Sequence, residues 1–173
     1  MATLLSLVQQ QTIKKISANN EAKYTQLATE VEDVELRDLL GTALLQDLQA
    51  NPTSEANVKL LDEYEFEDCN GNTVKHKGLR YVLAYFNYAK YVGSSFIVDT
   101  FSGFKQQNTP NSDPVSEGTM KRLQTENNKI AMRSWELIKE YLDLNYTDYP
   151  LWNYTKSKNP TMPKFTFLRK TMY

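Results

Sequence analysis

The sequence predicts a mainly α-helical protein: a small helical bundle with a long central helix, a projecting arm or β-hairpin over about residues 94–114, and an extended C-terminal tail with a short strand. Apolar residues recur at three- and four-residue spacing in two long segments. About two dozen residues between those segments lack the spacing, and a tail with three prolines follows. With 173 residues, the chain suits one domain over residues 1–148 plus a tail over 149–173.

The first periodic segment runs from about Ala22 to Leu40 and predicts an amphipathic helix. Its apolar stripe contains Tyr24, Leu27, Ala28, Val31 and Val34. The other face is acidic and contains Glu30, Glu32, Asp33, Glu35 and Asp38. A charge run on such a helix is usually its solvated face, which is the interpretation we favour. The alternative is electrostatic: if copies formed a ring, Glu30, Glu32, Asp33 and Glu35 would line its channel and repel DNA.

Two short helices are predicted next. Gly41 interrupts the first pattern, and a helix with Leu44, Leu45 and Leu48 should end at Asn51-Pro52, because the residue before proline disfavours the helical region. Ser54 begins another brief helix through Leu61. A turn is predicted around Asn70-Gly71, a pair suited to positive φ.

The strongest periodicity predicts a helix from about His76 to Val92 and a second from about Val115 to Leu144. His76 is the only histidine, and near a helix start it is expected to be a surface or capping residue. Some 30 residues of helix would span about 45 Å, more than the depth of a small domain. Part of the second helix should therefore be exposed or covered by another chain.

The arm between these helices begins with Ser94–Phe101, a run with the β-branched and aromatic content of a strand, and then becomes rich in turn residues. Loops of this length usually have a function or are disordered. We expect the arm to contact a partner through the apolar residues Phe96, Val98, Phe101 and Phe104.

Composition excludes several classes of protein. A net charge of −1 is not that of a dedicated polyanion binder. Cys69 is the only cysteine, so no intramolecular disulfide can form, and we expect an intracellular protein. No apolar run approaches the roughly 20 residues of a membrane span, so no membrane partner is expected. One histidine and the lack of GxGxxG, P-loop and HExxH motifs predict no catalytic residues, no metal and no cofactor.

The segment after Tyr149 is basic: it holds five Lys and Arg residues and no acidic residue, so the rest of the chain carries −6. A disordered terminus, nucleic-acid contact and docking on a protein are all possible. Alternation around Phe165 and Phe167 is too apolar for typical disorder and favours docking, by adding a strand to a partner's sheet. The residues expected to dock are Trp152, Phe165, Phe167 and Leu168.

The order of these features resembles the head-to-tail connector proteins of tailed bacteriophages, most closely the ring proteins of Bacteroidetes-infecting, crAss-like phages. The resemblance covers about residues 20–152 and contains no catalytic motif. Its marks are the run Leu39-Leu40-Gly41-Thr42-Ala43-Leu44-Leu45-Gln46-Asp47-Leu48, then Leu60-Leu61-Asp62-Glu63-Tyr64, a helix with Ala84-Tyr85, the arm, and a long helix closing in Tyr141-Leu142 and Tyr149-Pro150-Leu151-Trp152.

The resemblance implies a structural virion protein at the head–tail junction, assembled in the host cytoplasm. Its copies would form a ring, commonly twelve-fold, beneath the portal protein, continuing the DNA channel and docking tail or second ring proteins. The arm would then pack on the next subunit or on the portal. The alternative is a monomeric helical protein-binding module with a flexible recognition loop, which oligomeric state separates from a ring.

Overall fold

The computed structural model describes residues 3–16, 21–95, 97–100, 103–106 and 116–152, and it shows a mainly α-helical protein. The helices are α1 (Leu7–Ile13), α2 (Glu21–Val31), a π-helix (Glu32–Leu36), α3 (Arg37–Leu40), α4 (Thr42–Ala50), α5 (Glu55–Leu61), α6 (Leu79–Ser95) and α7 (Glu117–Leu144). The strands are β1 (Tyr64–Glu67), β2 (Thr73–His76), β3 (Ile97–Thr100) and β4 (Gly103–Gln106). They form two separate antiparallel hairpins.

The helix predicted over 22–40 is confirmed, with a π-helical segment inside it. Residues 21–40 are helical throughout, and the wider π-turn occupies Glu32–Leu36. π-Helical segments are rare, and within them the regular hydrogen bonding of the α-helix is lost. Here the wider turn coincides with the burial of both Glu32 and Leu36 in the same face of the bundle.

The two short helices are also confirmed. α4 ends at Ala50, just before Asn51-Pro52, and α5 begins after Ser54, whose Oγ accepts a hydrogen bond from the Asn57 N–H at 3.4 Å. Such an N-cap satisfies one of the backbone donors that the first helical turn leaves unpaired. Leucines from both helices enter the core: Leu44, Leu45, Leu48, Leu60 and Leu61.

The β1–β2 hairpin was predicted only as a turn. Its register pairs Tyr64 with His76 and Phe66 with Val74. The helix expected from His76 starts at Leu79, so His76 belongs to β2. The expectation that His76 is a surface or capping residue is wrong, because its side chain is fully buried.

α6 is the element that most other elements contact; it packs against α1, α2, α5, the π-helix and α7. α7 runs antiparallel to α6. Gln124, near its start, donates from Nε2 to the Ala89 carbonyl at 3.3 Å, while Tyr141, near its end, contacts His76 just before α6. The connection between the two helices, residues 96–116, contains the arm.

One face of α7 is buried and the opposite face is exposed, as its length predicted. The buried residues are Asn127, Ala131, Trp135, Ile138, Tyr141 and Leu142. Ser116 caps the start by accepting the Thr119 N–H at 3.3 Å. At 1.5 Å per residue, α7 is about 42 Å long.

The domain extends past residue 148, where the tail was predicted to begin. Tyr149 and Trp152 belong to the same core as the helices. The Tyr149 hydroxyl donates to the Ala56 carbonyl at 2.6 Å and lies 3.2 Å from the Tyr141 hydroxyl. Pro150 is compatible with the packing of Tyr149 and Trp152 in the core, because residues 150–152 form a single helical turn in which proline occupies the first position.

Among the described residues, no helix combines the length and the apolar character that crossing a membrane requires.

Candidate interaction surfaces

The arm forms a β-hairpin directly after α6. β3 and β4 pair antiparallel, with Val98 opposite Lys105 and Asp99 opposite Phe104. The strand predicted from the Ser94–Phe101 run is therefore present at Ile97–Thr100. Of the four predicted contact residues, Val98 and Phe104 lie in these strands, and Phe96 and Phe101 lie outside the described residues. The hairpin stands at the end of the α6–α7 pair.

Three of the four acidic residues proposed as channel-lining are exposed on the 21–40 helix: Glu30, Asp33 and Glu35. Glu30 lies 3.7 Å from Lys90, and Asp33 pairs with Arg37 at 3.0 Å. Val34 is 55% exposed between them. This segment therefore presents a negatively charged surface to solvent.

Glu32 was predicted to line the channel with these three residues, and that prediction is wrong, because Glu32 is only 3% exposed. Its Oε1 accepts the Leu4 N–H at 2.7 Å, and its Oε2 accepts from Gln49 Nε2 at 3.4 Å. Burial raises the pKa of the carboxyl, and the hydrogen bond from Leu4 opposes that rise. Glu32 therefore fastens the N-terminal segment to the bundle and cannot face a channel.

Leu4 is held from its carbonyl side as well. Arg80 Nε donates to the Leu4 oxygen at 3.1 Å, and Arg80 Nη1 lies 2.6 Å from both carboxylate oxygens of Asp62. The backbone of Leu4 is thus fixed between Glu32 and Arg80, residues from distant parts of the chain. The side chains of Leu4 and Leu5 are buried beside them.

A groove of about 400 Å³ separates the 21–40 helix from the first half of α7. Its lining includes Val31 and Glu35 on one side, Phe86 and Lys90 on its floor, and Lys121 and Thr125 on the other side. The groove is mixed in charge and open to solvent, which suits contact with a protein segment better than enclosure of a small molecule.

Trp152, predicted as a docking residue, is 4% exposed and packs within its own subunit. Its ring meets Trp135 edge to face at a centroid distance of 5.9 Å, and its Nε1 donates to Asp143 Oδ1 at 2.8 Å. Trp152 therefore anchors the point from which the tail leaves the bundle. The other predicted docking residues, Phe165, Phe167 and Leu168, lie outside the described residues.

Sequence reasoning missed the aromatic cluster around His76. The imidazole lies 5.0 Å from the Tyr141 ring and 5.9 Å from the Phe66 ring, measured between centroids. Nδ1 accepts the Gly78 N–H at 3.1 Å, and Nε2 has no hydrogen-bond partner among the described residues. Burial lowers the pKa of His76 to about 4. The signal was available: Tyr64–Glu67 and Thr73–His76 both alternate in polarity around Asn70-Gly71.

The described residues contain no cluster of three or more His, Cys, Asp or Glu side chains suited to holding a metal ion. Cys69 is exposed in the β1–β2 turn. The features of the described surface that could contact a partner are the arm, the acidic helix face, the groove and the β1–β2 hairpin.

Comparison with known families gives one match. The profile of a family of unknown function (DUF6712) matches residues 36–162, about three quarters of the chain. The chain belongs to the DUF6712 family. No curated protein and no solved structure matches it.

The DUF6712 match begins at Leu36, within the π-helix, and runs past Trp152. It includes α4 to α7, both hairpins and the Trp152 anchor. It excludes α1, α2 and Glu32, and also the segment from Pro163 onwards. The arm and the helix pair that carries it lie within the matched range, as do Arg80 and Asp62, whereas Leu4 and Glu32 lie outside it.

Proposed function

We propose that this protein is a structural virion component that forms a ring between the portal and the tail of a bacteriophage. In this proposal the ring continues the DNA channel and offers a docking surface for tail or second ring proteins. The observation that carries the proposal is the α6–α7 pair with a hairpin inserted between its helices. That arrangement has the element order on which the resemblance to connector proteins rests.

A closed ring needs two different complementary surfaces on every subunit, because its contacts are heterologous. The arm is one candidate, since β3 and β4 form a two-stranded ribbon whose strands pair only with each other among the described residues. Two-stranded ribbons are marginal in isolation and gain stability when they pack on a partner. The groove beside Glu35 and Lys121, and the exposed face of α7, are candidates for the surface that receives it.

The exposed face of α7 supports the need for a partner. Ile130 is 37% exposed and Met132 is 40% exposed on a helix that packs mainly against α6 and β2. Lys129 and Arg133 are exposed on the same side, one turn apart. A face that mixes apolar and basic side chains is typical of a protein interface rather than of a fully solvated helix.

The acidic face of the 21–40 helix has a role in the same proposal. Glu30, Asp33 and Glu35, repeated around a ring, would surround the channel with negative charge and reduce adhesion of the passing DNA. Glu32 takes no part because it is buried. The contact with DNA would be one of proximity, without base recognition.

The proposal is tested by locating the protein in phage particles. Tailed particles are washed and their tails are then detached. Gold-labelled antibodies against the chain should bind the heads at the site that the tail occupied. Mass spectrometry of the same particles should find the chain at a constant ratio to the portal protein. Absence of the chain from washed particles would contradict the proposal.

A further inference from the structure

The β1 strand has a free edge whose orientation follows from the hydrogen bonds of the hairpin. The Asp68 N–H donates to the Asn72 carbonyl at 2.9 Å, which makes these two residues a hydrogen-bonded pair. Such pairs alternate in an antiparallel ladder. Phe66 therefore bonds across to Val74, and the backbone groups of Glu65 and Glu67 point away from β2. Among the described residues, β1 pairs with β2 alone.

The two edges of this hairpin differ in charge. The β1 edge carries Glu65, whose side chain is 63% exposed and only 3.7 Å from Lys75, and Glu67, which has no ion pair among the described residues. The β2 edge carries Lys75 and Thr73. The hairpin's inner face is apolar, with Phe66 against Tyr141 at a centroid distance of 5.4 Å. A third strand beside β1 would thus need apolar residues on one face and positive charge on the other.

The segment Lys164–Arg169 lies outside the described residues, and its first four residues have that pattern. Phe165 and Phe167 would share one face, and Lys164 and Thr166 the other; Leu168 and Arg169 end the alternation. No acidic residue occurs between Tyr149 and the end of the chain. We propose that Lys164–Arg169 of one copy adds to the β1 edge of a neighbouring copy as a third strand, with its phenylalanines beside Phe66 and Lys164 beside the glutamates. This rests on the proposed ring, because it supplies one contact between successive subunits.

The connection to the proposed strand is long enough to reach a neighbouring copy. The Tyr149 ring lies 5.7 Å from Tyr141, whose ring is in turn 5.4 Å from Phe66, so the tail leaves the bundle close to its own β1–β2 hairpin. Pro160 and Pro163 favour an extended connection. Residues 153–163 in that form reach about 34 Å, well beyond the hairpin of the same chain. An extended connection of this length suits a bridge between subunits.

The test uses Cys69, the only cysteine, which lies two residues beyond the end of β1. Met162 and Thr171 lie two residues before and two after the proposed strand. If the third strand runs antiparallel to β1, residue 162 lies nearest Cys69, and full-length Met162→Cys tests that case. If it runs parallel, residue 171 lies nearest, and full-length Thr171→Cys tests it. In the docked arrangement one of them brings its new thiol within disulfide range of Cys69, a Cα separation of roughly 4.4 to 6.8 Å. Each variant is oxidised mildly over a range of concentrations and run on a non-reducing gel.

One of the two variants should give a ladder of disulfide-linked multimers, which disappears when Cys69→Ser is added. Adding Glu65→Lys and Glu67→Lys should lower the yield by about five- to tenfold, because the attraction between Lys164 and the two glutamates becomes repulsion. The matched control adds Glu55→Lys and Asp148→Lys, an equal charge change at exposed sites outside the surfaces proposed for ring contacts, and should leave the yield within about twofold.

Each other outcome overturns the inference in a distinguishable way. A fast-migrating monomer with an internal disulfide would place the strand on its own hairpin. An oligomer, measured by light scattering, that gives no disulfide with either variant would remove this contact and leave the ring proposal standing. A monomer that gives no disulfide at any concentration would count against both.

Discussion

At the scale of single residues, His76 is the most informative side chain in the molecule. It is fully buried between aromatic rings, and its only described hydrogen bond is the one that Nδ1 accepts from Gly78. A charged imidazole in this site would lie in apolar surroundings without a counter-ion in contact. The folded state therefore holds His76 neutral, and its pKa falls to about 4 from the ordinary 6.5.

His76 should couple folding to pH. Between pH 6.5 and 4 the unfolded chain binds a proton at His76 and the folded chain does not, so stability falls as the pH drops through this range. Over the interval from pH 7 to pH 4.5 the free energy of unfolding should fall by about 2 kcal/mol. Urea unfolding at pH 7 and pH 4.5 measures it, and a His76→Leu variant should lack this part of the pH dependence.

The same prediction has a direct spectroscopic check. His76 is the only histidine, so its imidazole resonances can be followed by NMR without assignment of others. A midpoint near pH 4 is expected in the folded protein. A midpoint near pH 6.5 would show that the imidazole is solvated and would contradict the buried site.

Two glycines allow the cost of a left-handed backbone conformation to be measured separately from the cost of steric overlap. Gly71 and Gly78 both have φ of +80°, a conformation that side chains rarely adopt. A Cβ on Gly71 would meet no atom within 4 Å, whereas one on Gly78 would overlap the Leu61 carbonyl oxygen and lie 2.5 Å from the Asp62 carbonyl carbon.

Gly71→Ala should therefore lower the free energy of unfolding by about 1 kcal/mol, the cost of the left-handed conformation alone. Gly78→Ala should cost about 3 kcal/mol or more, because the backbone of the α5–β1 connection must also move. Urea denaturation of both variants at pH 7 measures the difference. Equal losses would show that the approach between Gly78 and Leu61 is not tight.

The predicted residue roles succeeded where exposure follows from the helical period and failed where it depends on tertiary contacts. Glu30, Asp33 and Glu35 are exposed as the charge run indicated. Glu32 belongs to the same run but is buried, because the π-helix changes the angular spacing and Leu4, distant in sequence, supplies a hydrogen bond. Neither fact is visible in the local pattern.

At the scale of elements, the arm is the feature most closely tied to the proposed function. α6 ends at Ser95 and Ser116 caps α7, so residues 96–115 can be replaced without touching either helix. β3 and β4 pair only with each other among the described residues. The helices should therefore fold whether or not the arm is present.

Replacing residues 96–115 by a short glycine and serine linker should leave the helical circular dichroism unchanged and abolish ring assembly or portal binding. In the proposed ring the arm would supply one of the two surfaces that heterologous contacts require. Assembly is measured by light scattering and by cosedimentation with portal rings. A ring that forms undiminished without the arm would remove this role.

The elements also show where periodicity is sufficient and where it is not. The helices over 21–40, 42–50, 55–61 and 117–144 were predictable because each buries one face at three- and four-residue spacing. The β1–β2 hairpin was missed although its strands alternate in polarity, because four-residue strands give only two alternations each. Its stability depends on the packing of Phe66 and His76 on Tyr141, which is a tertiary contact. The turn itself was correctly placed at Asn70-Gly71.

At the scale of the whole molecule, one helical core extends from Leu4 to Trp152 and leaves several surfaces without a partner. The arm hairpin, the acidic helix face, the exposed face of α7 and the β1 edge belong to different parts of the chain. A monomer has no evident use for all of them, whereas a subunit between a portal and a tail needs contacts on several sides. Fold class followed from sequence because it depends on local periodicity, whereas the packing of Glu32, His76 and Trp152 did not, because it depends on residues distant in the chain.

The ring proposal is tested most directly by the mass of the purified protein, measured by light scattering, alone and after mixing with purified portal rings. One subunit has a mass of 20.0 kDa, so a twelve-fold ring would have about 240 kDa. We expect that mass in free solution, or an equivalent increase in the mass of the portal ring. A species of 20.0 kDa that remains unchanged in both conditions would contradict the proposal.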